Sequence, residues 1–600
     1  MDIKSELLCE IFDYLDGYKL CKAFSNLNSR FQQLLHSSSI LFTTRFYLFN
    51  YDEPMNMFKQ FMFSNRHQIF SIHILFVFED SYCFSSFFFD SSFDRLESIA
   101  FRDIQFEILI PVLTNLSSLL RLSSLTIETS NVQEEINDIY RLVFVLSKLK
   151  YYRIFLSDNY HSITLSMAMN NQFSPIEYLV IDHYCSLNEL ISLISYTPKL
   201  HRLTVHKIKT NNSNITILSS ITLNNLNSIY LDLRQTTFNV LEIFITKKFP
   251  NLKSLFIAGS NDINFLDAYR WEQFILNNFS QLEKFYFVYD DLLDNEEKYR
   301  RFTGKSNQFS SSFWIERQWL FEVEIKDTDI EYIIRRYSKR WYDDIEDNIV
   351  NRYDKYSTFT NLTFECIPSS MFEEVIPKEI EHILTITKIY HLEILEEKFS
   401  IPALIQVVNL LPHITTLKIH SLSIDETTEL TVKELLILCS IKETSKIIKV
   451  YFEEIDNVKE LDFLFTLCPY MEYFKIRCIN TMDIQSFLRT IFKKIKQNNN
   501  HYLHSLCFPV RTTDEQIVEN IKRMINYEKL LSNFTVIFVL LSAKSQKTMT
   551  ICPECYGVGE AVISCGFCGA YVCEECYMRH LVMCGPDDEK QKLSETTKVS

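Results

Sequence analysis

The chain has 600 residues, 47% hydrophobic and 23% charged, with 61 lysines and arginines against 76 aspartates and glutamates. It is too apolar to be disordered, and its formal charge of −15 argues against a nucleic-acid partner, because such affinity is mostly phosphate neutralisation. Only Gly17, Gly259 and Gly304 precede residue 550, which excludes P-loop, dinucleotide-binding and kinase readings, since their loops need glycine for close backbone approach to phosphate.

At the N-terminus, Asp2, Lys4, Glu6 and Glu10 leave no room for an uncharged signal core. Apolar stretches such as residues 69–78 fall short of the roughly 20 residues a membrane span needs, so no membrane is expected. Residues 1–45 are predicted to be helical. Leu7, Leu8, Ile11, Phe12 and Leu15 share one helix face, and Asp16-Gly17 breaks it. Leu20, Ala23, Phe24 and Leu27 make a second face, and Phe31, Leu34 and Leu35 a third. So small a unit exposes more apolar surface than it can cover, which marks a docking site.

The run Glu6-Leu7-Leu8-x-x-Ile11-Phe12-x-Tyr14-Leu15, then Lys19-Leu20, then Leu27-x-x-x-Phe31-x-x-Leu34 resembles an F-box. The family's opening Leu-Pro is Ile3-Lys4 here, and its usual Val-Cys and Trp are Leu27-Asn28 and Phe31. The resemblance implies that Leu7, Leu8, Ile11, Phe12 and Leu15 bind a Skp1-like adaptor and so join a cullin complex for ubiquitin transfer. A helical cap that shields the first repeat is the alternative, since stacked repeats need capped ends.

Residues 46–68 are read as a linker, and 69–545 as a repetitive body. Its template is apolar-x-x-apolar-x-apolar, as in Leu200-x-x-Leu203-x-Val205; the last two apolar positions alternate as in a strand. Single matches arise by chance roughly every 10 residues in so apolar a chain. Spacing carries the signal. Starts fall at Ile69, Leu96, Leu122, Leu149, Ile176, Leu200, Leu226, Leu252 and Leu282, separated by 24 to 30 residues. After wider gaps at Leu320 and Phe359 the series resumes at Ile389, Ile414, Ile447, Met471, Leu503 and Leu531. Pro198, Pro250, Pro412 and Pro469 stand two residues before a start, where lack of an amide hydrogen ends the preceding helix.

Strand, turn and helix at this period predict an α/β leucine-rich-repeat solenoid, and the body resembles the helix-containing repeats of F-box proteins. Leu203, Leu255, Leu417 and Phe474 are expected in its core. The aromatic run at residues 313–320 falls in a wide gap and reads as a longer repeat or a ligand-binding insertion. Arg335, Arg336, Lys339 and Arg340, followed by Asp343, Asp344, Glu346 and Asp347, read as a solvated face.

Residues 546–590 hold the strongest motif. Cys552-x2-Cys555-x9-Cys565-x2-Cys568-x4-Cys573-x2-Cys576-x3-His580-x3-Cys584 supplies donors for two zinc ions, because Cys-x-x-Cys turns aim two thiolates at one metal. Eight protein donors close both tetrahedra, so the zinc is expected to be structural. The module resembles HIT-type and MYND-type fingers. That resemblance pairs Cys552, Cys555, Cys573 and Cys576 on one ion, and Cys565, Cys568, His580 and Cys584 on the other. Residues 591–600 read as a disordered tail. Clustered and scattered free cysteines fit a reducing cytoplasmic or nuclear setting.

No catalytic set follows from spacing. The expected role is the non-catalytic substrate-recognition subunit of a Skp1-cullin-type ubiquitin ligase, with the repeats binding an unknown protein target. The alternatives are a protein-interaction scaffold outside ubiquitination and a zinc module that is itself a ligase.

Overall fold

The computed structural model describes residues 12, 15–25, 27–37, 40–47, 55–76, 89–129, 136–156, 162–169, 172–209, 222–245, 249–293, 308–336, 360–368, 370–423, 430–479, 484–497, 502–503, 505–507, 523–524, 549–551, 558–560, 563–564 and 571–572. The chain divides into two compact units, one of residues 1–262, 274–284 and 548–600, the other of 263–273 and 285–547. Both are mixed α/β.

Within residues 1–262 of the first unit, nine described strands follow in chain order: β1 (Phe42–Tyr47), β2 (Ile69–Leu75), β3 (Ser98–Arg102), β4 (Ser124–Thr129), β5 (Tyr151–Leu156), β6 (Tyr178–Cys185), β7 (Arg202–Ile208), β8 (Ser228–Leu233) and β9 (Ser254–Ser260). Each lies parallel to the next. From β3 to β9, every strand begins two residues after an expected template start. The register aligns like with like: Ile72, Ile99, Leu125, Tyr152, Leu179, Leu203, Ile229 and Leu255 are successive Cα partners, each at most 1% exposed. Full burial of such a side chain contributes about 1.5–3 kcal/mol, so a one-residue slip, which would turn the whole row outward, is strongly disfavoured.

Described helices join β1 to β2, β3 to β4, β4 to β5, β6 to β7 and β8 to β9. Tyr140, on the helix Ile136–Phe144, meets Tyr152 edge-on at 6.1 Å. The helix Leu187–Ser195 opens with a capping box: Ser186 Oγ accepts from the Glu189 amide and Glu189 accepts from the Ser186 amide. Glu189 Oε1 also accepts from the Ile163 amide at 2.7 Å, which ties down an extended segment, residues 162–169. The 46–68 stretch expected as a linker holds the helix Met55–Asn65, and β1 runs across the expected boundary at residue 45.

The second unit carries β10 (Lys284–Leu292), β11 (Trp319–Lys326), β12 (Asp329–Arg336), β13 (Asn361–Glu365), β14 (His391–Ile394), β15 (Phe399–Ser400), β16 (Thr416–Ile419), β17 (Leu422–Ser423), β18 (Lys449–Ile455), β19 (Tyr473–Ile479) and β20 (Ser505–Cys507). β11 and β12 form an antiparallel hairpin, turned at Asp327 with φ of 46°, and β12 also pairs antiparallel with β10. From β11 the ladder is parallel again through β13, β14, β16, β18, β19 and β20, and β15 pairs with β17.

The second strand of the hairpin, β12, falls in the wide gap between Leu320 and Phe359. The hairpin's aromatic run is core: Trp314 and Trp319 are 1% and 2% exposed, and Phe309 stacks on Phe321 at 4.3 Å. Leu417 and Phe474, both fully buried, occupy inward positions as expected, as do Leu203 and Leu255 in the first unit. No helix among the described residues is long and apolar enough to cross a membrane.

Candidate functional site

In a strand, successive side chains point to opposite faces, so residues between the inward apolar positions line the other side of each sheet. In the second unit they make a charged row. Glu324, Thr363, Glu393, Lys418, Tyr451 and Lys475 are successive Cα partners on β11, β13, β14, β16, β18 and β19.

Lys418 is its centre, with a side chain only 7% exposed. Its Nζ pairs with Glu393 and lies 3.1 Å from Glu453 Oε1. Glu453 Oε2 is also 3.6 Å from His420 Nε2 and 3.8 Å from Arg477. On the hairpin, Arg335 pairs with Glu322 and lies 3.1 Å from Glu324. Lys326 Nζ reaches Glu324 at 2.7 Å, Glu365 at 3.6 Å and Glu331 at 3.8 Å. Burial pulls the Lys326 ammonium down, but the Glu324 hydrogen bond and the three carboxylate charges outweigh it and hold its pKa raised. Arg335, expected as part of a solvated basic cluster, is thus a member of an ion network.

The equivalent face of the first unit has another chemistry. Tyr230 and Phe256 lie ring to ring at 4.3 Å, with His206 5.1 Å from Tyr230. Among the described residues its ion pairs include Arg102–Glu128 and Arg153–Asp182, both at 3.7 Å, and Arg234–Asp232 at 3.2 Å. On β2, burial, then the charges of Arg102 and Arg45, pushes the His73 imidazole down to about 3, so it is neutral at physiological pH.

Of the residues expected to bind an adaptor, Leu7, Leu8 and Ile11 lie outside the described residues. Phe12 is 3% exposed, packed against Phe24 at 5.5 Å and Phe31 at 6.4 Å. It holds the helices Gly17–Phe24 and Ser29–Leu35 together rather than presenting a surface anchor. Leu15 is 42% exposed and Leu27 59%. This small bundle is joined closely to β1. The Asp16 carboxylate accepts from the Lys19 amide at 2.9 Å and from the Arg45 amide at 2.6 Å. A Cβ on Gly17 would come within 2.6 Å of Phe42 Cβ, so only glycine permits that approach.

The zinc donors Cys552, Cys555, Cys565, Cys568, Cys573, Cys576, His580 and Cys584 lie outside the described residues. Beside them, Met549–Ile551 pairs antiparallel with Val558–Glu560, and Ile563–Ser564 with Tyr571–Val572. The charged row was not anticipated from sequence, although its members occupy the x of the template's final apolar-x-apolar. No family model matches the chain, and no curated protein matches it.

Proposed function

We propose that this protein is the substrate-recognition subunit of a cullin-type ubiquitin ligase. Its N-terminal helices dock the adaptor, its strands form a leucine-rich-repeat solenoid, and the outward strand face binds the target. The observation that carries this reading is the parallel ladder with one strand per 24 to 30 residues following an N-terminal helical bundle. Stacked units of this kind present an extended row of side chains suited to protein recognition. At the C-terminus, seven thiolates and one imidazole fit two closed zinc tetrahedra; the metal's part there is to hold the fold, since such sites fold only with their ion.

The tight join of the bundle to β1 favours a second reading, in which the helices cap the repeats and the protein is a scaffold outside ubiquitination. Affinity purification of the full chain and of residues 46–600 separates the two. The ligase reading expects an adaptor and a cullin with the full chain only. Leu15→Asp, at an exposed site, should abolish their recovery while leaving the protein folded. Equal recovery with and without residues 1–45 overturns the proposal.

A further inference from the structure

The helix Val432–Thr444 of the second unit is apolar on two sides. A capping box of Thr431 and Glu434 fixes where it starts. Leu438 and Ile441 are 8% and 4% exposed, and the helix packs beside the helices Ile401–Leu410 and Val458–Leu467. On its other side Val432 is 75% exposed, Leu435 47% and Leu436 66%, and Cys439 is exposed too. These four follow one another at i, i+3, i+4 and i+7, so they share one face, a stripe about 10 Å long. Nearby helices turn charge to solvent instead. The exposed residues are Glu373, Glu374, Lys378, Glu381 and Thr385 on Met371–Ile386, and Lys459 and Asp462 on Val458–Leu467.

We propose that this stripe is covered by the same stripe of a second copy of the chain, in an antiparallel pair related by a two-fold axis. Such a contact must be complementary to itself, and this stripe is. Reversed about the midpoint between Leu435 and Leu436, it sets each Leu435 against Leu436 of the copy and each Val432 against the small thiol of Cys439. Charge fixes the direction. Lys433 and Glu443 are exposed and not ion-paired among the described residues. They leave the same flank of the stripe at opposite ends. In the antiparallel pair each Lys433 comes beside Glu443 of the copy, and the two helix dipoles oppose. A parallel pair would set Lys433 level with Lys433 and Glu443 level with Glu443. The patch is far smaller than the roughly 20–30 residues a side of a standard interface, so the dimer should be weak, half-dissociated on the order of tens of micromolar.

Sedimentation equilibrium of the full chain under reducing conditions, from about 1 to 200 μM, should show a monomer–dimer equilibrium. Leu436→Asp, at an exposed site, should weaken association at least about tenfold without lowering the melting temperature. Lys433→Glu and Glu443→Lys should each weaken it severalfold, and the two together should restore it, which a merely more polar surface would not do. Under mild oxidation Val432→Cys should add a reducible cross-linked dimer, and Cys439→Ser in the same chain should remove it. A chain that stays monomeric throughout overturns the proposal. So does a dimer that Leu436→Asp leaves intact, a charge swap that fails to restore association, or a cross-link that does not need Cys439. A monomer that binds an amphipathic helical peptide, and loses it with Leu436→Asp, would also overturn it by making another protein the occupant.

Discussion

The two units bury the same kind of row and show solvent different ones. Inward, Leu203, Ile229 and Leu255 in the first unit correspond to Leu392, Leu417 and Val450 in the second, all at most 1% exposed. Outward, the first unit offers rings and separate ion pairs, and the second a network centred on a buried ammonium. The inward row is set by a demand common to every strand, burial of apolar area. The outward row is under no such demand and is free to carry recognition. A difference there, between units built alike inside, separates what holds the protein together from what it can bind.

The largest expected effect breaks the network at its centre. Lys418→Ala takes the shared, buried ammonium from Glu393 and Glu453, 12% and 13% exposed. Among the described residues it leaves Glu453 only the longer ion-pair contacts to His420 at 3.6 Å and Arg477 at 3.8 Å. Stranding buried charge in this way costs about 3–5 kcal/mol. Arg153→Ala in the first unit, where the pair is 3.7 Å apart and Arg153 is 27% exposed, should cost about 1 kcal/mol or less. Chemical denaturation of both variants checks the comparison; similar losses would mean that the two faces do not differ energetically.

The inward row was legible from sequence because periodicity reports burial directly, and spacing separated true strands from chance matches. Tertiary pairing was not legible in that way. Nothing local in residues 313–336 distinguishes a repeat from a hairpin until Asp327 adopts a left-handed turn and β12 inserts between β10 and β11. The amphipathic pattern that nominated Phe12 likewise could not tell an outward anchor from a ring enclosed by Phe24 and Phe31, because both give apolar spacing. The charges of the outward row were visible as residue types, but which carboxylate meets Lys418 depends on register across strands 25 and 35 residues away.

Acid should act in opposite directions at two buried groups, His73 in the first unit and Glu460 in the second. His73 is held down to about 3, and its Nε2 is buried with no hydrogen-bond partner among the described residues. The unfolded chain therefore takes up a proton near pH 6.5 that the folded unit refuses, and stability falls as pH drops below that point. Between pH 7.5 and 5 the loss is about 2 kcal/mol. Glu460 in the second unit is 2% exposed and is pushed up to about 7, chiefly by burial. Here the folded state takes the proton first, so stability rises as pH falls from about 7 towards 4.5, by about 2–3 kcal/mol. Thermal unfolding at pH 7.5, 6 and 5 should show His73→Leu blunting the acid loss and Glu460→Gln removing the acid gain. A wild-type-like pH profile in both variants would refute the assignment.

The smallest expected effect lies at the exposed pairs, and it is informative because it should be nearly absent. Lys150 and Glu177 meet at 3.1 Å, a distance as short as that between Lys418 and Glu453, but Lys150 is 60% exposed. Water already solvates the free ammonium there, the attraction acts through high dielectric, and holding a long side chain in one rotamer costs entropy. Lys150→Ala should therefore change stability by less than about 0.5 kcal/mol, and raising salt should leave the difference unresolved. Near-equal distances with several-fold different energies would show that burial, and not separation, decides which ion pairs matter in this protein. A loss at Lys150 comparable to that at Lys418, measured in the same denaturant series, would show instead that distance alone is sufficient.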